Sequence, residues 1–329
     1  MVGYPRNPAG ALNKRPPTRT HDGRRLRFLK CSLKGLLVIW DVHCHFPRDW
    51  QNPESVDPVE ALEGRANALR EAGVTRASLL CGGRFGLGYE EAIGYSRLHE
   101  DLFVPSAVVD PEEITHRNIK ELHELGYRGL KMIGVRRPYD DYAYFGVYQA
   151  AEELDMPILM HMGVIGGGID YSITHPRRDP EAAKRLQEMR NSPRALGRNV
   201  SAMRMRPFHM DTIANNFPDL KLIGAHMGGT GNYDEAASVT RWRHNVYLDM
   251  SGGDTIERHA VERNLIGIEI GVEKLTWGSD CSNDEIADHL ANLDQIFDQV
   301  GLTEAERDRI RYRNAAEIFG EAVPIHSAE

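Results

Sequence analysis

Two histidines, His43 and His45, follow an apolar run over residues 37–42. Such a run is typical of a buried strand, and side chains two residues apart on a strand share a face. Both imidazoles therefore point the same way, and neutral imidazole is the commonest metal ligand in proteins. A lone histidine at a strand end is usually packed or hydrogen-bonded, whereas two on one face favour a metal site whose other ligands lie elsewhere in the chain.

Three further residues with ligand chemistry, His161, His226 and Asp280, also follow apolar runs. From His45 to His161 is 116 residues, or four units of 29, and from His226 to Asp280 is 54 residues, or two units of 27. Each alone has an ordinary explanation, such as a hydrogen-bonded core histidine or a helix cap. Their recurrence predicts a metal site. Imidazoles with a carboxylate suit zinc, which keeps a position open for water and lowers the pKa of that water to about 7.

Short apolar runs alternate with helix-like segments after residue 36. The runs are residues 37–42, 76–81, 102–109, 129–134, 157–162, 220–225, 246–250 and 275–278, and the clearest helix-like segments are 58–72, 112–125, 145–154, 284–300 and 304–319. Strands that alternate with helices indicate βαβ units and a parallel sheet. Eight strands predict an α/β fold of the (β/α)8 TIM-barrel type, in which the carboxyl ends of the strands meet at the face where active sites are built.

One connection is much longer than the others. From His161 to His226 is 65 residues, where an ordinary unit here takes about 30. The excess, residues 163–206, is predicted to be a long insertion after the fifth strand, at the same face as the ligands. Two interpretations stay open: a lid or substrate-binding element, or a surface insertion without a role.

The bulk composition is that of a soluble globular protein, with 329 residues, 41% hydrophobic and 27% charged. The sequence contains no apolar stretch long enough to span a bilayer. Its four cysteines are scattered without Cys-x-x-Cys spacing, which favours a reducing, cytoplasmic setting over a disulfide framework.

Residues 1–35 differ in charge from the rest of the chain. They hold nine basic side chains and one acidic one, a net +8, so residues 36–329 carry −16. With four prolines and little apolar patterning, this head is interpreted as a disordered N-terminal extension before a barrel domain of residues 36–329. A basic arm can bind nucleic acid or a membrane surface. The acidic body argues against nucleic acid as the main partner, and we expect the head to be dispensable for folding.

Seven sequence segments of the chain resemble a known protein family. They are Asp41-Val-His-Cys-His45, Gly129-Leu-Lys-Met132, Pro157-Ile-Leu-Met-His161, Phe217-Pro-Asp-Leu-Lys-Leu-Ile-Gly-Ala-His226-Met-Gly-Gly229, Asn245-Val-Tyr-Leu-Asp-Met-Ser251, Trp277-Gly-Ser-Asp280 and Asn314-Ala-Ala-Glu-Ile-Phe-Gly320. Together they span about residues 37–320 and resemble the amidohydrolase superfamily. The closer likeness is to its amidohydrolase-related branch, which includes the aminocarboxymuconate-semialdehyde decarboxylase-like enzymes.

The resemblance implies a metal-dependent (β/α)8 barrel. Its ligands for one divalent ion, usually zinc with manganese as the alternative, would be His43, His45, His161 and Asp280. His226 would be a catalytic base or acid, and Asp280 would also accept a proton from water. A homodimer is a family-level expectation.

Lys131, at the end of the fourth strand, has several interpretations. Binuclear amidohydrolases place a carboxylated lysine there as a bridge between two metals, which mononuclear relatives do not need. The amine can instead bind a substrate carboxylate or pair with a neighbouring acid.

Arginines cluster near the predicted strand ends, and a guanidinium fork suits a carboxylate. They are Arg48, Arg84, Arg136, Arg137, Arg177 and Arg178. For any single one the alternative is a solvated surface residue. The candidate substrate-binding set is Arg48, Arg84, Lys131, Arg136 and Arg177, which predicts a small acidic molecule as substrate.

Three functions fit these observations. The first is a metal-dependent hydrolase that attacks an amide, lactone or related carbonyl of a small carboxylated molecule with metal-activated water. The second is a decarboxylase or hydratase of a small unsaturated or aromatic acid that uses the same site. The third is a non-catalytic metal-binding or scaffold protein. The ligand set does not separate the first two. Aromatic decarboxylases of the family often carry glutamate in place of the first histidine, so the resemblance gives the His43-x-His45 form a mild lean toward the hydrolase, although the muconate-semialdehyde enzymes share that form.

Overall fold

The computed structural model describes residues 38–47, 56–83, 87–165, 201–252 and 261–322. Within them, eight parallel strands form one sheet in sequential order, β1 to β8. The strands are β1 (Trp40–His45), β2 (Arg76–Cys81), β3 (Phe103–Val109), β4 (Gly129–Met132), β5 (Ile158–Met160), β6 (Leu222–Gly224), β7 (Val246–Asp249) and β8 (Leu275–Thr276).

The two ends of this sheet meet. The Val42 backbone N–H donates to the Trp277 carbonyl at 3.0 Å, and the Asp280 N–H donates to the His43 carbonyl at 3.0 Å. The residues that follow β8 therefore lie beside β1, which closes the sheet. Sequential parallel order and closure are the hallmarks of a (β/α)8 barrel, so the fold prediction is confirmed.

Helices separate most of the strands. They are α1 (Pro58–Glu71), α2 (Tyr89–Ser96), α3 (His116–Leu125), α4 (Phe145–Glu153), α5 (Phe208–Asn216), α6 (Tyr233–Trp242), α7 (Ile286–Val300), α8 (Glu304–Asp308) and α9 (Asn314–Phe319). The Asp57 side chain caps α1 by accepting from the backbone N–H groups of Val59 and Glu60. The helix predicted from residue 112 begins later, at His116, because Thr115 caps it. A π-helical turn, Arg309–Arg313, divides the last predicted helix.

The interior of the barrel is packed rather than hollow. Leu80, Val108, Leu159 and Ile223, from four different strands, form one buried cluster, whereas their strand neighbours, such as Leu79, pack in the larger cluster with the helices. Lys131 on β4 pairs in register with Val108 on one side and Leu159 on the other. Because these partners point inward, the Lys131 side chain also enters the barrel.

Strand β1 contains an irregularity that bears on the ligands. Its register against β2 shifts between Asp41 and Cys44. The Asp41 carboxylate accepts from the backbone N–H groups of His43 and Ser279, both at 2.9 Å, so it holds this backbone rather than an imidazole ring. Cys44 is fully buried in the cluster that contains the helices, on the side opposite to the histidines, as predicted.

The insertion leaves the barrel and returns to it at one place. Where it starts, the Gly163 N–H donates to the carbonyl of Met205, near its end, at 2.9 Å. Residues 166–200 of the insertion, the predicted extension 1–35, and Arg48, Arg84 and Arg177 lie outside the described residues. Among the helices that the structure describes, none is long and apolar enough to cross a membrane.

Candidate active site

All five ligand-type residues singled out in the sequence come together at the carboxyl ends of the strands. The Asp280 carboxylate lies at their centre: its Oδ1 is 3.2 Å from His45 Nε2 and 3.7 Å from His43 Nε2. Its Oδ2 is 3.6 Å from His226 Nε2. The Nε2 of His226 in turn lies 3.3 Å from His161 Nδ1. Side chains from β1 and from the segments after β5, β6 and β8 therefore share one site.

Two of these residues have an unusual backbone conformation. His226 has φ +59° and ψ +40°, and Asp280 has φ +42°, in the left-handed region that costs most residues free energy. Backbone contacts hold both: the His226 N–H donates to Asp249 Oδ1 at 2.8 Å, and the Asp280 N–H donates to the His43 carbonyl. Strain that is held in this way is concentrated at functional sites.

Asp249, at the end of β7, sets the protonation pattern of His43. Its Oδ2 lies 2.8 Å from His43 Nδ1, and its Oδ1 accepts from the Ser251 N–H at 3.1 Å and from the His226 N–H. Because an ionised carboxylate only accepts, His43 carries its hydrogen on Nδ1. The unprotonated Nε2 of His43 then faces Asp280.

His161 presents its other ring nitrogen. Its Nε2 lies 3.2 Å from the carbonyl oxygen of Val164, which only accepts hydrogen bonds, so the hydrogen of His161 is on Nε2. Burial keeps the pKa of His161 well below its usual value, which leaves the ring neutral. The lone pair of Nδ1 therefore points at His226.

The donor set fits a divalent metal ion. Unprotonated imidazole nitrogens and a carboxylate converge, and ligand atoms of His43, His45 and Asp280 lie within 4.8 Å of one another. Bonds of about 2.0–2.1 Å to one zinc ion space neighbouring ligand atoms roughly 3 Å apart, close to the distances observed here. His161 would join this group through Nδ1.

The electrostatics of the site favour the same charge state. Burial would raise the pKa of Asp280, but His43, His45 and His226 outweigh it and hold that pKa well below its usual value. Burial, followed by the nearby Lys131, lowers the pKa of His43 to about 4. Near neutral pH the carboxylate is therefore ionised and His43 is neutral, as metal ligands must be.

Lys131 reaches the same cluster from inside the barrel. It is fully buried, and its Nζ donates to His43 Nε2 at 3.0 Å. Burial lowers its pKa to about 8. The lone pair of His43 Nε2 cannot accept a hydrogen bond from this amine and bind a metal ion at the same time. Metal binding therefore requires that the hydrogen bond between Lys131 and His43 break.

Two of the arginines near the predicted strand ends, Arg136 and Arg137, lie in the described part of the chain, and both form ion pairs with acidic residues. Arg136 is paired with Glu113 at 3.4 Å and with Asp110 at 3.9 Å, and Arg137 is paired with Glu112 at 3.3 Å. Both guanidinium groups are about half exposed and already have carboxylate partners within the chain. Arg48, Arg84 and Arg177 lie outside the described residues, so their binding role stays a prediction.

Two residues of the site, Asp249 and Ser251, were not singled out in the sequence. Both are fully buried and contact His43 and His226. The sequence does carry a signal for Asp249, because it lies at the end of the seventh strand, near the positions that His161 and His226 take on theirs. A carboxylate there is also the residue type that orients ligand histidines.

A glycine behind His43 gives a first test of this geometry. A Cβ added at Gly278 would lie 2.6 Å from the Cβ of His43, closer than side chains pack. We expect Gly278→Ala to displace His43, to destabilise the fold by about 1–3 kcal/mol and to weaken metal binding. Thermal unfolding and metal titration measure the two effects.

Gly94→Ala is the matched control, because a Cβ at Gly94 in α2 meets nothing within 4 Å. It should leave metal binding unchanged and stabilise the fold by up to about 1 kcal/mol. Equal metal affinity in Gly278→Ala and the wild-type protein would contradict the placement of His43.

Comparison with known families identifies the family of this chain. The family model described as amidohydrolase matches residues 40–320, which is most of the chain and includes all five ligand-type residues. The chain belongs to the amidohydrolase family. The superfamily resemblance that the sequence phrases carry is thereby confirmed. No curated protein sequence matches this amidohydrolase.

Solved structures share the fold of the amidohydrolase at low sequence identity. A probable 2-pyrone-4,6-dicarboxylic acid hydrolase from Acinetobacter baumannii, with citric acid bound, has a TM-score of 0.55 at 15% identity over 86% of this chain and 99% of its own. The 5-carboxyvanillate decarboxylase from Sphingomonas paucimobilis has 0.55 at 17% over 87% and 100%.

A third structure is the 5-carboxyvanillate decarboxylase from Novosphingobium aromaticivorans, complexed with manganese and 4-hydroxy-3-methoxy-5-nitrobenzoic acid. It has a TM-score of 0.56 at 15% identity over 86% of this chain and 96% of its own. At these identities the likeness shows the shared barrel fold, and a role for each residue has to be argued from the site itself.

Proposed function

We propose that this amidohydrolase is a metal-dependent hydrolase that cleaves a lactone, amide or related carbonyl bond of a small carboxylated molecule. One observation carries the proposal: His226 Nε2 and the Asp280 carboxylate are both proton acceptors and lie 3.6 Å apart at the open end of the barrel. Hydrolysis requires that a proton be taken from water, and a pair of acceptors is suited to that step.

The state of His226 follows from its neighbour. Its Nδ1 lies 2.9 Å from Ser251 Oγ, and Ser251 gives its own hydrogen to Asp249 at 2.6 Å. Ser251 therefore accepts from Nδ1–H of His226, and Nε2 is left unprotonated. His161 Nδ1, 3.3 Å from this nitrogen, also carries a lone pair, so the two lone pairs are compatible only when a metal ion binds that of His161. The Nε2 of His226 takes the proton of the attacking water and returns it to the leaving oxygen or nitrogen of the substrate.

In this proposal His43, His45, His161 and Asp280 hold one divalent ion, zinc or manganese. When bound, the ion acts as a Lewis acid on the substrate carbonyl and lowers the pKa of water. Asp249 keeps the Nε2 lone pair of His43 directed at the ion, because it accepts the hydrogen of Nδ1 at 2.8 Å. A carboxylate in this position typically raises metal affinity or activity about 10- to 100-fold.

The substrate class follows from charge. We propose that Arg48, Arg84 and Arg177 bind a substrate carboxylate, since a guanidinium fork matches its geometry. Arg136 is a weaker candidate, because its guanidinium group already forms ion pairs with Glu113 and Asp110. We also propose a cytoplasmic setting, since Cys44, Cys81 and Cys281 are free thiols.

Decarboxylation of a small aromatic acid is the second candidate. The two 5-carboxyvanillate decarboxylases with the same fold favour it. The same residues would then first take a proton and afterwards deliver it to a ring carbon, so His226 or Asp280 would serve as an acid rather than only as a base.

A product assay distinguishes the two candidates. Purified protein supplied with zinc or manganese is tested on a panel of small lactones, amides and carboxylated phenols, in oxygen-18 water. Hydrolysis puts one labelled oxygen into the product carboxylate and releases no CO2. Release of CO2 with an unlabelled product would replace the hydrolase proposal by the decarboxylase.

A further inference from the structure

The hydroxyl of Ser251 is the meeting point of three side chains that belong to the site. Its Oγ lies 2.6 Å from Asp249 Oδ1, 2.9 Å from His226 Nδ1 and 3.1 Å from His43 Nδ1. Ser251 is 1% exposed and Asp249 is fully buried, so water does not compete for these contacts. A hydroxyl has one hydrogen to give and two lone pairs, and its three neighbours compete for them.

The hydrogen of Ser251 is assigned by its partners. Asp249 Oδ1 already accepts from two backbone N–H groups, those of His226 and Ser251, and its 2.6 Å contact is the shortest of the three that Ser251 Oγ makes. A carboxylate surrounded by donors is ionised and accepts again. Ser251 therefore donates to Asp249, and both its lone pairs face imidazole nitrogens.

We propose that Ser251 is the positioning residue that fixes the tautomer of His226, with Asp249 in turn fixing the hydroxyl of Ser251. This rests on the proposed function in one respect, that His226 transfers the proton. Asp249 binds the ring of His43 directly but reaches His226 only through its backbone N–H and through Ser251. One carboxylate thus directs both Nε2 atoms toward the site, one directly and one through a hydroxyl.

Removal of the hydroxyl should therefore change the tautomer of His226 without a loss of metal binding. In Ser251→Ala the Nδ1–H of His226 loses its acceptor in a buried place, and the other tautomer, with hydrogen on Nε2, becomes accessible. That tautomer cannot accept a proton from water. His43 keeps its 2.8 Å contact with Asp249, so metal binding should be retained.

The experiment uses the zinc-loaded protein with isotope-labelled histidine. Side-chain nitrogen NMR reports the tautomer of each ring, and the His226 signals are identified by their loss in His226→Asn. The variants are Ser251→Ala, Ser251→Thr, which keeps a hydroxyl, and Ser78→Ala. Ser78 is the matched control, because its buried Oγ accepts from Trp40 Nε1 at 3.0 Å and serves a structural contact on β2.

We expect Ser251→Ala to shift His226 toward a mixture of tautomers and to lower kcat about 10- to 100-fold with little change in KM or zinc content. Ser251→Thr should restore the tautomer, and Ser78→Ala should leave it alone. An unchanged tautomer in Ser251→Ala overturns the proposal, as does a loss of zinc, which would show that Ser251 acts through His43. The NMR result needs no substrate, so it stands or falls separately from the hydrolase assignment.

Discussion

His226→Asn is expected to lower kcat/KM by about 100- to 10,000-fold, the range typical for loss of a general acid–base group, while the protein keeps its metal. Asparagine retains polarity and removes the nitrogen that takes the proton. The metal should remain, because the ligand atoms of His43, His45 and Asp280 form a compact group without His226. Steady-state kinetics and elemental analysis of the same preparation measure both quantities.

The control is the same substitution at an exposed histidine. The described contact of His244 is through its carbonyl oxygen, which accepts from Lys274, so His244→Asn leaves that contact in place and should change neither activity nor metal content. Loss of the metal in His226→Asn would make His226 a ligand instead, and full activity would remove it from the proton-transfer step.

Asp280→Asn should differ from His226→Asn in its metal content, with metal and activity lost together. The carboxylate has an oxygen within 3.7 Å of His43 and within 3.2 Å of His45, and the environment keeps it ionised. An amide removes the negative charge that attracts the cation. It also leaves an N–H facing imidazole lone pairs. We expect metal affinity to fall by at least about 100-fold, and activity to fall with it.

Asp284→Asn controls for the loss of charge alone. Asp284 is exposed and accepts from the hydroxyl of Ser282 at 2.7 Å, four residues beyond the site. Its variant should bind metal normally. Retention of metal and turnover in Asp280→Asn would refute the assignment of the carboxylate to the ion.

The ligand-type residues of this site are predictable from the sequence because of the barrel topology. In parallel strands that run in sequential order, every carboxyl end lies at one face, so residues after apolar runs converge even when 65 residues separate His161 from His226. The approximate spacing of the strand–helix units is sufficient to number the strands. The exact bounds of each strand matter less for predicting the ligands, since Asp280 reaches the site although β8 is only two residues long.

The hydrogen-bond pattern was not predictable in the same way. Whether Lys131 meets His43 or a substrate depends on the tilt and register of β4 inside the barrel, which alternation alone does not determine. The role of Ser251 depends on angstrom distances to three side chains. The left-handed conformation of His226 also has no sequence signal, because it is uncommon for every non-glycine residue, and histidine, although enriched there, usually adopts other conformations.

The substrate-binding role of the surface arginines was the least predictable feature. Arg136 follows the fourth strand as expected, but acidic neighbours from the segment after β3 take up its guanidinium. The sequence spacing places an arginine near the open end of the barrel, but it does not determine which carboxylate forms an ion pair with it. Three helices, α2, α5 and α6, are also absent from the set predicted from the sequence.

The central claim is that one divalent ion is held by His43, His45, His161 and Asp280 and is needed for catalysis. Metal analysis of active protein, before and after chelation, tests it most directly. We expect about one zinc or manganese ion per chain, loss of turnover when it is removed, and recovery when it is returned. Two ions per chain would instead support a carboxylated Lys131 bridge, and full turnover by metal-free protein would contradict the account.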